Sequence, residues 1–116
     1  MATIEDWLSF CDRLYAKGVD VFNGAEVPLT DDGPREPRVV ALTLLARTLS
    51  NMKAAVLLIE NGQVAEARII GRAAYENMFY AAALLRRGAA FVDALELDDI
   101  TSRRKRATGL LEWARL

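Results

Sequence analysis

Residues 64–87, VAEARIIGRAAYENMFYAAALLRR, decide the fold of this chain because they combine a helical period with a row of small side chains. The period predicts an amphipathic α-helix that ends where Gly88 follows two arginines. Small side chains allow a second helix to approach closely, so we expect this helix to be the most buried one. The row advances by steps of three and four through Val64, Ala67, Gly71, Ala74, Met78, Ala81 and Leu85.

The preceding segment, about 38–60, repeats the same step and predicts a second helix. Asn61 and Gly62 then stop it, since glycine readily takes the left-handed conformation that ends a helix. The two helices therefore follow each other closely and present similar apolar rows. The row of the earlier helix runs through Leu42, Leu45, Leu49, Met52, Val56 and Ile59.

Two further helices complete the predicted domain. The first spans about 4–22, where Thr3 can cap the helix and Asp6 stands at the capping-box position. The fourth runs from Ala89 to the end, and all three prolines fall in a loop over 23–37. The sequence thus predicts one all-α domain over 1–116, an up-and-down four-helix bundle with a long loop between helices 1 and 2.

Composition excludes several classes of partner and compartment. With 15 basic and 16 acidic side chains the formal net charge is −1, so no global field attracts nucleic acid or an anionic membrane. The single cysteine rules out an intramolecular disulfide, and the first residues lack the basic segment of a secretory signal. Uninterrupted apolar runs are shorter than the ~20 residues of a membrane span. We therefore expect a cytoplasmic protein without membrane contact.

The absence of histidine argues against catalysis. It removes the usual general base and the usual transition-metal ligand from the chain. The sequence contains no glycine-rich phosphate loop, zinc-binding helix motif or paired-cysteine motif. Cys11 has no histidine to activate it, so a place in the core is its simpler interpretation. We predict no enzymatic activity, no cofactor and no metal.

The best candidate binding site lies on the third helix. Arg68, Arg72 and Glu76 are four residues apart and therefore share one stripe. Two arginines beside aromatic rings suit an anion or an acidic side chain of a partner, because guanidinium groups pair bidentately with oxyanions. The alternative is a solvent-facing stripe with a weak Arg72–Glu76 pair. Further members of the candidate site are Tyr75 and Phe79 beside the stripe, and Arg47 and Asn51 on the second helix.

The fourth segment carries a basic run and an apolar end. Arg103 and Arg104 belong to the run 103–106, which suits phosphate contacts, although four acidic residues just upstream oppose its field. A solvated helix face is the alternative for this run. The apolar end has too few partners in so short a chain, so we expect it to form an interface, most simply in a homodimer. Its residues are Leu110, Leu111, Trp113 and Leu116.

From about Val39 to Trp113 the chain resembles an uncharacterised family of bacterial all-helical proteins. The resemblance lies in an apolar helix, a turn with glycine and a helix of the form E-A-R-x-x-x-R-x-x-x-E, here residues 66–76. The layout is also similar to the HEPN class of helical bundles, which occurs in toxins and antiviral systems. Nuclease members of that class carry an arginine followed after four to six residues by a histidine. Here Asn77 follows Arg72 after four residues, so the resemblance does not carry the ribonuclease activity over.

These observations favour a non-enzymatic protein-binding module. We expect an inhibitor or adaptor in bacterial defence or in phage counter-defence, with a protein partner whose identity the sequence does not reveal. The alternative is a HEPN-like module that binds nucleic acid or nucleotide without cleaving it, through Arg68, Arg72 and the basic run.

Overall fold

The computed structural model describes residues 1–27 and 29–115 and contains four long helices. They are α1 (Ile4–Gly24), α2 (Pro37–Glu60), α3 (Val64–Arg87) and α4 (Ala89–Ala114), with a short 3₁₀ turn over Gly33–Arg35 before α2. The described residues include no strand. The prediction of an all-α helical bundle is therefore confirmed.

Both ends of α3 lie where the sequence predicts them. Gly62 has φ 76° in the turn after α2, and Gly88 has φ 54° between α3 and α4, a region that residues with a Cβ rarely adopt. The start of α1 also follows the prediction. The Asp6 amide donates to the Thr3 side chain, and the Thr3 amide donates to the Asp6 carboxylate over 2.8 Å, which completes a capping box.

The long connection between helices 1 and 2 is present, but its bounds differ from the predicted 23–37. Asn23 and Gly24 are still helical, and α2 already begins at Pro37. Proline suits the first position of a helix because its missing N–H would have no partner there. The Glu36 carboxylate accepts from the amides of Arg38 and Val39 and caps the helix. Pro28 lies outside the described residues.

The helix α2 lies in the middle of a flat layer, with α1 on one side and α3 on the other. Leu44 of α2 packs in one cluster with Leu84 of α3, whereas Leu49, about 140° further around α2, lies against Gly18 of α1. The molecule measures 52 × 46 × 20 Å, so its shortest dimension is less than half of either of the other two.

The core is small and lies where α2, α3 and the first turns of α4 meet. It contains Leu44, Leu84, Phe91 and Val92, with Val40, Ala83 and Leu95 packed against them. From Glu96 onward every described residue of α4 is exposed except Ser102, which is half-buried. The distal part of α4 therefore extends away from the layer as an arm, which we define as residues 97–114.

The predicted apolar row of α3 turns out to be only partly covered. Ala67 is buried, but Met78 and Leu85 are 59% and 89% exposed, so the expectation that they pack against a neighbouring helix is wrong. The buried positions in this half of the helix are Asn77 and Leu84, each one residue earlier. Ala67 and Leu85 are 18 residues apart, which is five full turns of a straight α-helix, so the same side of α3 is buried near its start and exposed near its end.

Candidate functional site

The apolar end predicted to form an interface lies on the arm of α4 and is exposed. Leu110, Leu111 and Trp113 are 68%, 62% and 74% exposed. Leu97 and Ile100 add exposed apolar surface nearer the layer. Leu116, the fourth predicted interface residue, lies outside the described residues.

Charge on α4 is divided along the helix. Acidic residues occupy its first half, and the basic run 103–106 follows in the exposed second half. The Arg103 guanidinium lies 3.0 Å from the Asp99 carboxylate one turn earlier, so part of the basic field is cancelled. Arg104 is exposed and takes part in none of the ion pairs of the described residues.

The candidate stripe on α3 faces solvent. Arg68, Arg72 and Glu76 are exposed, and the Tyr75 and Phe79 side chains are 64% and 70% exposed. Arg68, Arg72, Tyr75 and Phe79 follow one another at steps of four, three and four, which places them along one line opposite the side that packs on α2. We call these four residues the basic–aromatic stripe.

The predicted Arg72–Glu76 pair is not formed, since no ion pair within the described residues includes either side chain. Among residues 1–27 and 29–115, no carboxylate therefore lies within ion-pair distance of the Arg72 guanidinium. The two arginines and the two aromatic rings extend over roughly 16 Å of α3, so only an elongated anionic ligand lying along the helix would meet all four.

The residues expected from the second helix do not join this stripe. Arg47 is exposed and lines a shallow groove with Phe22, Val27 and Val39, on the side of α2 that borders α1. Asn51 is half-buried and stands seven residues after Leu44, so it shares the side of α2 that packs on α3. The structure therefore separates Arg47 and Asn51 from Arg72, because the stripe occupies the far side of α3.

One polar residue that the sequence did not mark as a site lies inside the protein. Asn77 is 5% exposed on the α2 side of α3, and its Nδ2 atom has no hydrogen-bond partner in the part of the chain that the structure describes. Arg72 and Asn77 are five residues apart, about 140° around the helix, so one faces solvent and the other the interior. The two positions therefore do not form one site within a protomer. The sequence drew attention to Asn77 only because it stands where nuclease members of the HEPN class carry a histidine, and that gave no indication of its burial.

The grooves between α1 and α2 are apolar with a charged rim. The larger one has a volume of about 420 Å³ and is lined by Tyr15, Val19, Leu49 and Lys53 among others. The Lys53 ammonium lies 5.4 Å from the centre of the Tyr15 ring, a cation–π distance. Cys11 is half-buried in the adjoining groove of about 320 Å³. Within the described residues, no group of three acidic or cysteine side chains is placed to hold a metal ion.

By length and composition, α2 would be long and apolar enough to cross a membrane. An 18-residue window within it has a mean hydropathy of 1.4, and 11% of that window is buried. Core helices of water-soluble proteins pass the same test, so the absence of membrane contact stays a prediction. The low buried share shows that the most apolar helix of the chain is poorly covered.

Comparison with known proteins places the chain in one family. Residues 38–116 match the model of DUF5677, a family described as of unknown function. The matched residues include α2, α3 and α4. The helix α1 and the connection after it lie outside the match. No curated protein and no solved structure matches the chain significantly.

Proposed function

The chain belongs to DUF5677, a family of unknown function, and we propose that it is a non-enzymatic module that binds another protein through the arm of α4. We infer that the protein acts in the cytoplasm as an inhibitor or adaptor, either in bacterial defence or in phage counter-defence. The observation that carries the proposal is the arm itself, an exposed helix with five large apolar side chains. They are Leu97, Ile100, Leu110, Leu111 and Trp113.

The arm has the properties of a helix that docks into a groove. Contiguous exposed apolar surface on a folded protein commonly marks an interface. Leu97, Ile100, Ala107 and Leu111 recur at steps of three, seven and four, so they lie on one side of the helix, as in helix-in-groove recognition. Trp113 is two residues after Leu111 and lies about 160° around the helix from it, so it adds exposed apolar surface on the opposite side of the arm.

Affinity purification with a matched pair of variants tests this proposal. The wild-type protein is expected to retain one defined protein, and Leu111→Glu is expected to lose it, because a carboxylate cannot enter an apolar groove unpaired. Glu112→Gln changes charge on the same turn without adding a polar group to the apolar side, so it should retain the partner. Equal retention by Leu111→Glu and Glu112→Gln would contradict binding through the arm.

A second candidate function is binding of single-stranded nucleic acid without cleavage, as in a HEPN-like module. The basic–aromatic stripe supports it, because aromatic rings stack with bases while arginines contact phosphates. Salt dependence distinguishes the two candidates. Nucleic-acid binding through several phosphate contacts falls steeply with ionic strength, whereas apolar docking of the arm changes little.

The proposed module is not an enzyme. Ribonucleases that work without a metal need a group that takes a proton near neutral pH, which histidine supplies with an unperturbed pKa of ~6.5. The chain has no histidine. Structured RNA incubated with the purified protein, with and without Mg²⁺ or Mn²⁺, should stay intact. Cleavage that disappears in Arg72→Ala or Glu76→Ala would overturn this part of the proposal.

A further inference from the structure

The layer of α1, α2 and α3 has two broad sides, and one of them is apolar across all three helices. A groove on this side is lined by Arg38 and Ala41 of α2 and by Ala81 and Leu85 of α3. On α2, the residues that follow Ala41 at intervals of three, four or seven lie on the same side of the helix and are half-buried. They are Leu45, Met52, Val56 and Ile59. Steps of three and four continue the α3 lining into Met78, Ala74 and Gly71 and end at Ala67, which is already buried within the protomer.

The exposed row of α1 lies on the same side. Val19 lines the opposite groove with Ser50 and Ala54. Leu14 is five residues from Val19, about 140° around the helix, and therefore faces the side on which Met52 and Val56 lie. Trp7, Phe10, Leu14 and Val21 are all more than a third exposed. We call this surface, formed by the three rows, the layer face.

The protein exposes far more surface than a compact monomer of its mass. Its solvent-accessible area is 9271 Å² for 12.8 kDa, whereas a folded monomer of that mass exposes about 6,300 Å². The excess over the whole molecule, the arm included, is on the order of 3,000 Å², compared with the ~800 Å² that each partner buries in a standard stable interface. The radius of gyration, 17.8 Å, likewise exceeds the roughly 13 Å of a compact chain of this length.

We propose that a second copy of this chain covers the layer face, in a twofold dimer whose axis runs parallel to α2. This operation places α1 of one protomer over α3 of the other and leaves the two α2 helices face to face. It matches a large side chain to a small residue at two levels, because Phe10 and Leu14 of α1 come level with Ala67 and Gly71 of α3, whereas Trp7 comes level with Val64. The proposal goes beyond the partner-binding function and is independent of it, since the arm lies outside this face.

The positions of residues along the helix axes support the pairing of α1 in one protomer with α3 in the other. Gly18 of α1 lies against Leu49 of α2, so Leu14, one turn away, is level with Lys53. Lys53 is nine residues before Gly62 in the turn, and Gly71 is nine residues after it. Rotation about an axis parallel to α2 keeps these positions, so Leu14 of one protomer lies over Gly71 of the other.

Gly71 has no explanation within one protomer. Glycine in the middle of a helix costs about 1 kcal/mol relative to alanine. A Cβ atom at this position would meet nothing within 4 Å, so no neighbouring side chain or backbone of the described residues requires its absence. The space above Gly71 is open in the protomer, and in the dimer the Leu14 side chain of the second copy fills it.

Sedimentation of the full chain at micromolar concentration tests the proposal. The wild type is expected to sediment at twice 12.8 kDa. Gly71→Leu should give a monomer with undiminished helicity, because leucine fills the space that the second copy needs and improves helix propensity. Gly109→Leu is the matched control, since Gly109 is also within a helix with nothing within 4 Å, and it should remain dimeric. Leu14→Glu provides an independent disruption from the α1 side.

Three results would overturn the dimer. One is a wild-type monomer throughout the micromolar range. Another is a dimer that survives Gly71→Leu and Leu14→Glu but dissociates in Leu111→Glu, which would place the interface on the arm. The last is a monomer that binds vesicles of phosphatidylcholine and phosphatidylglycerol through the layer face. A dimer that Leu111→Glu preserves while losing the protein partner supports both proposals separately.

Discussion

Gly18 of α1 lies so close to Leu49 of α2 that a Cβ atom at position 18 would be 3.3 Å from the Cγ atom of Leu49 and closer still to its Cδ2 atom. Leu49 is one of the buried residues of α2. The missing side chain of Gly18 therefore leaves room for the Leu49 side chain between the two helices. No residue of α1 itself is buried among those described, so this contact is central to holding α1 on the layer.

Replacing Gly18 should weaken the attachment of α1. We expect Gly18→Val to lower the free energy of unfolding by about 1–3 kcal/mol, because the added methyl groups overlap Leu49 and force the helices apart. Urea titration followed by circular dichroism measures the change. Gly109→Val is the control, since its Cβ meets nothing within 4 Å and valine is a better helix former than glycine. A stabilisation by Gly18→Val equal to that of the control would contradict the close contact.

The unpartnered amide of Asn77 should reduce stability. Replacing a buried, unsatisfied amide by an apolar side chain of similar size removes a desolvation cost, so Asn77→Leu is expected to raise the free energy of unfolding by about 1–3 kcal/mol. Asn61→Leu is the opposite control, because the Asn61 amide donates to the Leu57 carbonyl over 2.7 Å and its loss removes a hydrogen bond. Destabilisation by Asn77→Leu in urea titration would mean that Nδ2 has a partner in solution.

Helix positions were readable from the sequence because their signals are local. Residues 64–87 are helical as predicted, since Gly62 and Gly88 stop the helices on either side by their own backbone preference. Thr3 and Asp6 likewise cap α1 with no help from distant residues. The period also identified which residues of α2 and α3 share a side.

The packing of the helices against one another could not be predicted from such local signals. A period shows that Met78 and Leu85 lie on one side of a helix, but not whether another helix covers that side. The direction of α4 depends on the Gly88 backbone, with φ 54° and ψ −129°, which no side-chain pattern encodes. The buried state of Asn77 was also hidden, because an amide in an apolar row can face either the interior or solvent. The separation of Arg47 from Arg72 follows from the side of α2 on which α1 packs.

The ion pairs of Arg35 should contribute little to stability, although they join the 3₁₀ turn to α4. The guanidinium lies 3.1 Å from the Asp93 carboxylate and 2.8 Å from the Glu96 carboxylate, but the Arg35 side chain is 55% exposed. Exposed pairs contribute about 0.2–1 kcal/mol and are screened by salt. We expect Arg35→Ala to lose that amount at low ionic strength and nothing at high ionic strength. Arg86→Ala is the control, because Arg86 is exposed and forms no ion pair among the described residues, and its effect on stability should not depend on salt. A loss of stability in Arg35→Ala that is the same at low and high ionic strength would contradict the weak ion pairs.

Arg72 should matter for binding and not for folding. Its side chain is exposed and joins no ion pair of the described residues, so Arg72→Ala should change the free energy of unfolding by less than about 0.5 kcal/mol. If the basic–aromatic stripe binds single-stranded RNA, the same change removes one phosphate contact and lowers the slope of log affinity against log salt by about 1. Arg13→Ala on α1 removes the same charge from another exposed position and serves as the control. Urea titration and RNA binding at low and moderate salt measure the two effects. A large loss of stability would show that Arg72 has a structural partner, and equal RNA affinities of the two variants would remove the stripe from the nucleic-acid hypothesis.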